Sequence, residues 1–128
     1  MKNKNNPLSP HLQIYRWHIS SLLSITHRIV GVINFVFFLA ISFWSLYLLL
    51  GDTSYEIINL LLNTFFGKFL TIVFCWTFSF HILNEIRHLA WDLGYGFDLN
   101  VSRITGILTF IGSFILTISF YIIGKNLF

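Results

Sequence analysis

Charged side chains are scarce in this sequence. Only 10% of its 128 residues are Asp, Glu, Lys or Arg, whereas 55% are hydrophobic. A soluble domain averages about 25% charged residues, so too few polar side chains are present to cover a water-facing surface. The composition therefore excludes a soluble globular protein and predicts one integral membrane domain, residues 1–128.

Cysteine and basic runs are also lacking. Cys75 is the single cysteine and lies within an apolar run, which excludes an intrachain disulfide and a CxxC redox or zinc site. No run of Lys and Arg is long enough to act as a basic arm for nucleic acid. The formal net charge of +3 is therefore interpreted as a signal of membrane topology.

Three segments are long and apolar enough to cross a membrane. We predict helices at about 20–50, 67–93 and 103–125, after a polar arm at 1–19. Within the first, the uncharged stretch Ile29–Leu50 would run about 33 Å as a helix, enough for a hydrocarbon core of ~30 Å. Ser20 or Ser21 is expected to cap this helix. Residues 55–67 fit either an interfacial helix or the start of the second span, and both alternatives stay open.

The basic residues are distributed unequally between the two sides of the predicted spans. By the positive-inside rule, the side with more Lys and Arg is cytoplasmic. This places the N-terminus in the bacterial cytoplasm, or in the matrix if the protein is mitochondrial. The other side has only Lys68 and Lys125, whereas the cytoplasmic side has Lys2, Lys4, Arg16, Arg28, Arg87 and Arg103.

A polar stripe marks the second predicted span. His81, Glu85, His88 and Asp92 fall within a sector of roughly 60° on a helix of 100° per residue, and Arg87 points elsewhere. Polar side chains inside a membrane face protein or a cavity rather than lipid. The stripe therefore predicts a polar partner on another helix or another chain.

Two members of the stripe require particular partners. Glu85 costs roughly 3 kcal/mol to insert, so it should be paired or protonated, with Arg28, Arg87 or the histidines as partners. His81 lies near mid-membrane, where an unpaired ring is costly. It is interpreted either as a haem ligand or as a side chain hydrogen-bonded to a neighbouring helix. We expect no second histidine at its depth, so another haem ligand would come from a different polypeptide.

A second polar cluster lies at the start of the first span. Ser24, Arg28 and Gly31 share a helix face by their spacing, and His27 lies at its edge. The predicted orientation brings this cluster to the same membrane boundary as the end of the stripe. The two faces can form a pocket for a carbonyl oxygen or an acidic head group. The alternative interpretation is a positively charged anchor with a serine cap.

Two segments resemble a known family. Residues 7–31, PLSPHLQIYRWHISSLLSITHRIVG, and residues 81–96, HILNEIRHLAWDLGYG, are similar to the two signatures of the cytochrome b556 membrane-anchor subunits of succinate dehydrogenase, respiratory complex II. The order of the motifs, the three spans and the length extend the resemblance over essentially the whole chain. The sequence departs from the family pattern at Asn6, where Arg is usual, and at Glu85, where Gly or Ala is usual.

The resemblance implies a ubiquinone site at the cytoplasmic or matrix boundary. It implies that Ser24 and Arg28 bind ubiquinone, that His27 lies nearby, and that Asp92 lies at the quinone-side boundary. No catalytic residue is implied, because the chain has no flavin or iron–sulfur motif with which to oxidise succinate. The chain is then a subunit of succinate:ubiquinone oxidoreductase outside its catalytic core.

The resemblance also implies haem b, with three helices packed beside a second small membrane-anchor subunit. His81 would be one axial ligand of the iron, and the partner subunit would supply the other. His27, Arg28 and His88 would lie near the haem propionates.

The remaining implied partners are the lipid bilayer, the flavoprotein subunit and the iron–sulfur subunit, through which electrons pass from succinate to ubiquinone. Two alternatives stay open: the anchor of a quinol–fumarate reductase, and a structural membrane adaptor without haem.

Overall fold

Four helices form the computed structural model, which describes residues 18–49 and 51–127. Three of them are long and apolar enough to cross a membrane, which confirms the predicted all-α membrane fold. Most of the predicted N-terminal arm, residues 1–17, lies outside the described residues. In chain order the helices are α1 (Ile19–Leu48), α2 (Asp52–Asn63), α3 (Phe65–Asp92) and α4 (Leu99–Leu127).

The first helix begins before the predicted capping serines, Ser20 and Ser21. α1 starts at Ile19 after an extended His18, whose carbonyl oxygen accepts from the N–H groups of Ser21 and Leu22. A capping residue needs a non-helical backbone, and both serines are already helical. The predicted cap at Ser20 or Ser21 is therefore wrong.

A separate short helix precedes the second span. Thr64 is extended between α2 and α3, and its Oγ1 accepts from the N–H of Gly67 at 3.1 Å. Gly67 is buried against the last turn of α2: a Cβ there would lie 2.7 Å from Leu62 Cα. Of the two alternatives for residues 55–67, the separate helix is the one that forms. The last residues of this stretch, from Phe65 onward, belong to the first turn of α3.

The third helix is central, because it packs against α1, α2 and α4. Leu23, Val30 and Phe80 form the fully buried apolar core, and Trp76 packs against it. Most large apolar side chains outside this core are exposed. An apolar surface around a small core is expected of a membrane protein, since lipid covers it.

Small hydroxyl side chains fill the interior beside the aromatic core. Each donates to a backbone carbonyl of its own helix at 2.6–3.0 Å, so these hydroxyls are paired within the apolar interior. Their small size allows close helix packing. The buried members of this set in the described part of the chain are Thr77, Ser79, Thr109, Ser113 and Thr117.

One buried arginine joins α3 to α4. Arg87 is 7% exposed; its Nε donates to Thr105 Oγ1 at 3.2 Å, and one terminal nitrogen donates to the carbonyl and hydroxyl oxygens of Ser102 at 3.0 Å. Its guanidinium carbon lies 4.1 Å from the ring centre of Trp91. The turn between these helices uses positive φ at Gly94 (87°) and Gly96 (81°), a conformation that glycine adopts without strain.

Candidate functional site

A cavity of about 420 Å³ lies between α1 and α3, where α1 begins and α3 ends. One wall carries serine hydroxyls, and the facing wall carries an amide, an imidazole, a guanidinium and an indole. The polar faces of the two helices thus meet around one space. The residues that line it are Ser20, Ser21, Ser24 and Ile25 from α1, and Asn84, Arg87, His88 and Trp91 from α3.

The predicted ubiquinone residues divide between the cavity and the outer surface. Ser24 and His88 line the cavity. Arg28 and Asp92 are exposed and do not line it. Their assignment to the quinone site stays a prediction.

Asn84 was not selected from the sequence. Its side chain is 1% exposed, and neither its Nδ2 nor its Oδ1 has a hydrogen-bond partner in the described part of the chain. Asn84, His88 and Trp91 are spaced i, i+4 and i+7, which puts them on one helix face. The spacing is visible in the sequence, but an uncharged asparagine beside a stripe of ionisable residues is a weak signal.

A second cluster lies one turn deeper. His27 Nε2 lies 3.0 Å from Glu85 Oε1, close enough for an ion pair when His27 is protonated, and His81 Nε2 lies 3.8 Å from the same oxygen. The ring centres of His27 and His88 are 5.6 Å apart. His27 therefore connects this deeper cluster to the cavity.

Glu85 is thus paired with histidines, as one of the predicted alternatives proposed. Arg87 is not its partner, since its guanidinium is directed to Ser102 and Thr105 on α4. The reason is helical periodicity: Arg87 and Glu85 lie on different faces of α3, so Arg87 meets α4 whereas Glu85 meets His27 of α1.

The expectation that no second histidine lies at the depth of His81 is wrong. The rings of His27 and His81 are stacked, with their centres 4.5 Å apart. The sequence predicts His27 at the membrane boundary, whereas the packing of α1 on α3 brings its ring beside that of His81. His27 lies more than two helical turns after Ile19, where α1 begins.

His81 offers a nitrogen for a haem iron. Its Nδ1 is buried, so Nε2, on a side chain that is 34% exposed, is the nitrogen that an iron could reach. Glu85 lies beside Nε2, but its own side chain is 56% exposed and already approaches His27 more closely. The carboxylate has room to turn away, so the donor set fits haem b.

The same three side chains have the donor types of a cation site. One ligand atom from each of His27, His81 and Glu85 lies within 4.8 Å of the others. Stacked imidazoles direct their lone pairs in nearly parallel planes rather than toward one point. For the same reason His27 and His81 do not form the two axial ligands of one iron, which must approach from opposite sides.

Known proteins resemble this chain along most of its length. Residues 2–120 match the model of the family described as "Succinate dehydrogenase/Fumarate reductase transmembrane subunit". The succinate dehydrogenase cytochrome b556 subunit of Rickettsia prowazekii (strain Madrid E) is 40% identical over 116 residues, 91% of this chain and 90% of the relative.

Other relatives carry similar names. The succinate dehydrogenase cytochrome b560 subunit of Porphyra purpurea is 41% identical over 97 residues, 72% of this chain and 75% of the relative. The cytochrome b556 subunit of Paracoccus denitrificans is 27% identical over 114 residues, 89% and 88% of the two chains. With the family match and the three apolar helices, these similarities show that the chain belongs to the succinate dehydrogenase/fumarate reductase transmembrane subunit family.

Proposed function

We propose that this chain is a membrane-anchor subunit of succinate:ubiquinone oxidoreductase that binds ubiquinone and haem b. It pairs with a second small membrane-anchor subunit and tethers the flavoprotein and iron–sulfur subunits. The observation that carries the proposal is the α1–α3 cavity, in which Ser24 and His88 face one space in a chain of this family. The names of the relatives support a cytochrome b role.

The cavity has the chemistry that a quinone head group requires. Its volume of about 420 Å³ lies within the range of small-ligand pockets, roughly 300–1,000 Å³. Serine and imidazole groups donate to carbonyl oxygens, and Ile25 and Trp91 offer apolar surface to a ring. Reduction of a quinone to a quinol consumes protons as well as electrons, and the imidazole of His88 has nitrogens that can donate or accept a proton.

The exposed members of the predicted site have a role at the rim. Arg28 and Asp92 lie on the outer surface, where partner subunits would cover them. In the complete complex, Arg28 would donate to a quinone oxygen from the partner side. Asp92 would orient neighbouring cationic groups at the boundary.

In the proposed haem site, His81 is one axial ligand and the partner subunit supplies the other. When bound, haem b supplies a one-electron carrier close to the quinone. His27, Arg28 and His88 are suited to the propionates, because cationic and N–H donors bind carboxylates strongly. The oxygen of Glu85 that contacts His27 also lies 3.8 Å from His81 Nε2, so the carboxylate would turn away when His81 binds the iron through that nitrogen.

The proposed location is the cytoplasmic membrane of a bacterium, with the N-terminus in the cytoplasm. The bacterial relatives and the distribution of basic residues support it. This orientation places the open end of the cavity at the cytoplasmic boundary. The soluble subunits would dock there and deliver electrons.

The test is purification of the complex from its own membranes through a tag on this chain. We expect co-purification of the flavoprotein and iron–sulfur subunits, a b-type signal in the reduced-minus-oxidised spectrum, and succinate–ubiquinone turnover that quinone analogues inhibit. A colourless complex without any response to quinone analogues would instead support a structural adaptor. Quinone turnover without b-type absorbance would remove haem from the proposal and leave the quinone site.

A further inference from the structure

We propose that Asn84 is a quinone-binding residue whose amide serves both redox forms of the ligand. The inference rests on the proposed function, since it takes the α1–α3 cavity as the quinone site. In this assignment the Nδ2 group donates to a carbonyl oxygen of the quinone. After reduction, Oδ1 accepts from the hydroxyl group of the quinol.

The burial of Asn84 is the first observation. The side chain is 1% exposed, yet both its polar atoms lack hydrogen-bond partners in the described part of the chain. An unpaired buried amide is costly, so such a group normally has a ligand, a water molecule or another chain as its partner.

The position of Asn84 is the second observation. It lines the cavity beside His88 and Trp91, with the serine-bearing wall of α1 opposite. Arg87 also lines the cavity, but its guanidinium already donates to Ser102 and Thr105. Asn84 is therefore a fully buried polar group at the cavity, and its amide makes no hydrogen bond with the described residues.

Another buried asparagine provides a comparison. Asn34 is 4% exposed and also lies between α1 and α3. Its Nδ2 donates to the backbone oxygen of Thr77 at 3.3 Å, and it does not line the cavity. Asn34 thus joins two helices, whereas Asn84 faces a space between them.

The chemistry of an amide suits a ligand that changes its hydrogen-bonding pattern. A quinone oxygen only accepts, whereas a quinol hydroxyl also donates. An asparagine carries two N–H donors and one carbonyl acceptor on the same rotatable group. Turning the amide exchanges donor for acceptor, so one residue can bind both forms without any change in its own protonation.

The test uses the purified complex carrying Asn84→Leu, which removes the amide and keeps a similar side-chain size. We expect the KM for a short-chain ubiquinone to rise about three- to tenfold, the loss typical of a neutral hydrogen bond. Succinate–dye turnover should not change. The thermal denaturation midpoint of the quinone-free complex should stay the same or rise, because Asn84 makes no side-chain hydrogen bond with the described residues.

Asn34→Leu is the matched control, since it removes a buried amide away from the cavity. It should lower the denaturation midpoint and leave the KM for ubiquinone unchanged. Asn84→Ala provides a second variant that introduces no branched side chain and should show the same rise in KM. An unchanged KM in either Asn84 variant that assembles overturns the assignment.

The remaining outcomes separate this assignment from the proposed function. If Asn84→Leu lowers the denaturation midpoint and alters KM no more than Asn34→Leu does, the amide binds a partner subunit and the assignment is wrong. If the wild-type complex neither reduces nor binds short-chain ubiquinone, the proposed function fails and the role of Asn84 fails with it.

Discussion

His27 and His81 stack face to face across the α1–α3 interface, with 17° between their ring planes. His27 also reaches the Glu85 carboxylate, and it lies beside His88 at the cavity. One imidazole on α1 therefore contacts three of the four members of the polar stripe on α3. The proposed haem ligand and the proposed quinone cavity are neighbours through this single ring.

Replacement of His81 by alanine should abolish the b-type absorbance of the purified complex. The imidazole of His81 is the proposed axial ligand, and alanine offers no nitrogen to the iron. A reduced-minus-oxidised spectrum measures the loss. His18→Ala is the matched control, because His18 is an exposed histidine that precedes α1, and its spectrum should not change. A full b-type signal from the His81 variant would disprove the ligand assignment.

Replacement of Glu85 by glutamine should raise the reduction potential of the haem. The carboxylate lies 3.8 Å from His81 Nε2, and a negative charge near the proposed ligand favours the oxidised, more positive iron. Potentiometric titration of the b-type absorbance measures the shift. Glu56→Gln removes an exposed acidic charge from α2 and should leave the potential unchanged. Equal potentials in both variants would show that Glu85 does not act on the haem.

Replacement of Arg28 by leucine should lower kcat/KM for ubiquinone about tenfold or more, the cost of losing a charge-assisted hydrogen bond. Succinate–dye turnover should remain intact, because it does not require the quinone site. Arg103→Leu removes another exposed arginine, on α4, and should preserve both activities. A parallel fall of both activities in the Arg28 variant would indicate impaired assembly and contradict a quinone role.

The three spans and the polar stripe were predictable because both are properties of one helix. A long uncharged run specifies a membrane helix, and helical periodicity aligns His81 with Glu85 and separates Arg87 from them. Membership of the family was also predictable, because the two signature segments occur in the family's order. These features need no knowledge of how the helices cross.

The features that sequence reasoning missed depend on the contact between α1 and α3. The position of His27 beside His81 follows from the way α1 passes α3. The burial of Asn84 on α3 depends on α1, which covers that face of the helix. Likewise, the bonds of Arg87 to α4 depend on the glycine turn that brings Ser102 beside it. A single-helix pattern carries no information on such pairings.

Replacement of Arg87 by methionine should destabilise the complex. Arg87 is buried, and its guanidinium donates to Ser102 and Thr105, so the variant loses the hydrogen bonds that hold α3 to α4. Losing hydrogen bonds from a charged group costs about 1.5–3 kcal/mol. Thermal denaturation in detergent measures the change. Arg103→Met replaces an exposed arginine and should have the midpoint of the wild type; equal midpoints in both variants would contradict this role.

Replacement of Gly67 by alanine should disturb the junction of α2 and α3. A Cβ at Gly67 would collide with the backbone oxygen of Leu61 and lie 2.7 Å from Leu62 Cα. Backbone atoms cannot move aside as a flexible side-chain end does, so α2 must shift.

We expect a lower denaturation midpoint and faster proteolysis within α2, measured on the purified complex. Gly124→Ala is the matched control, because a Cβ there meets no atom within 4 Å, and alanine favours a helix over glycine. A Gly67 variant as stable and protease-resistant as the Gly124 variant would show that α2 does not depend on this close contact. The contrast therefore tests whether α2 is a fixed part of the bundle. Its position depends on Gly67, because any side chain there would collide with the last turn of α2.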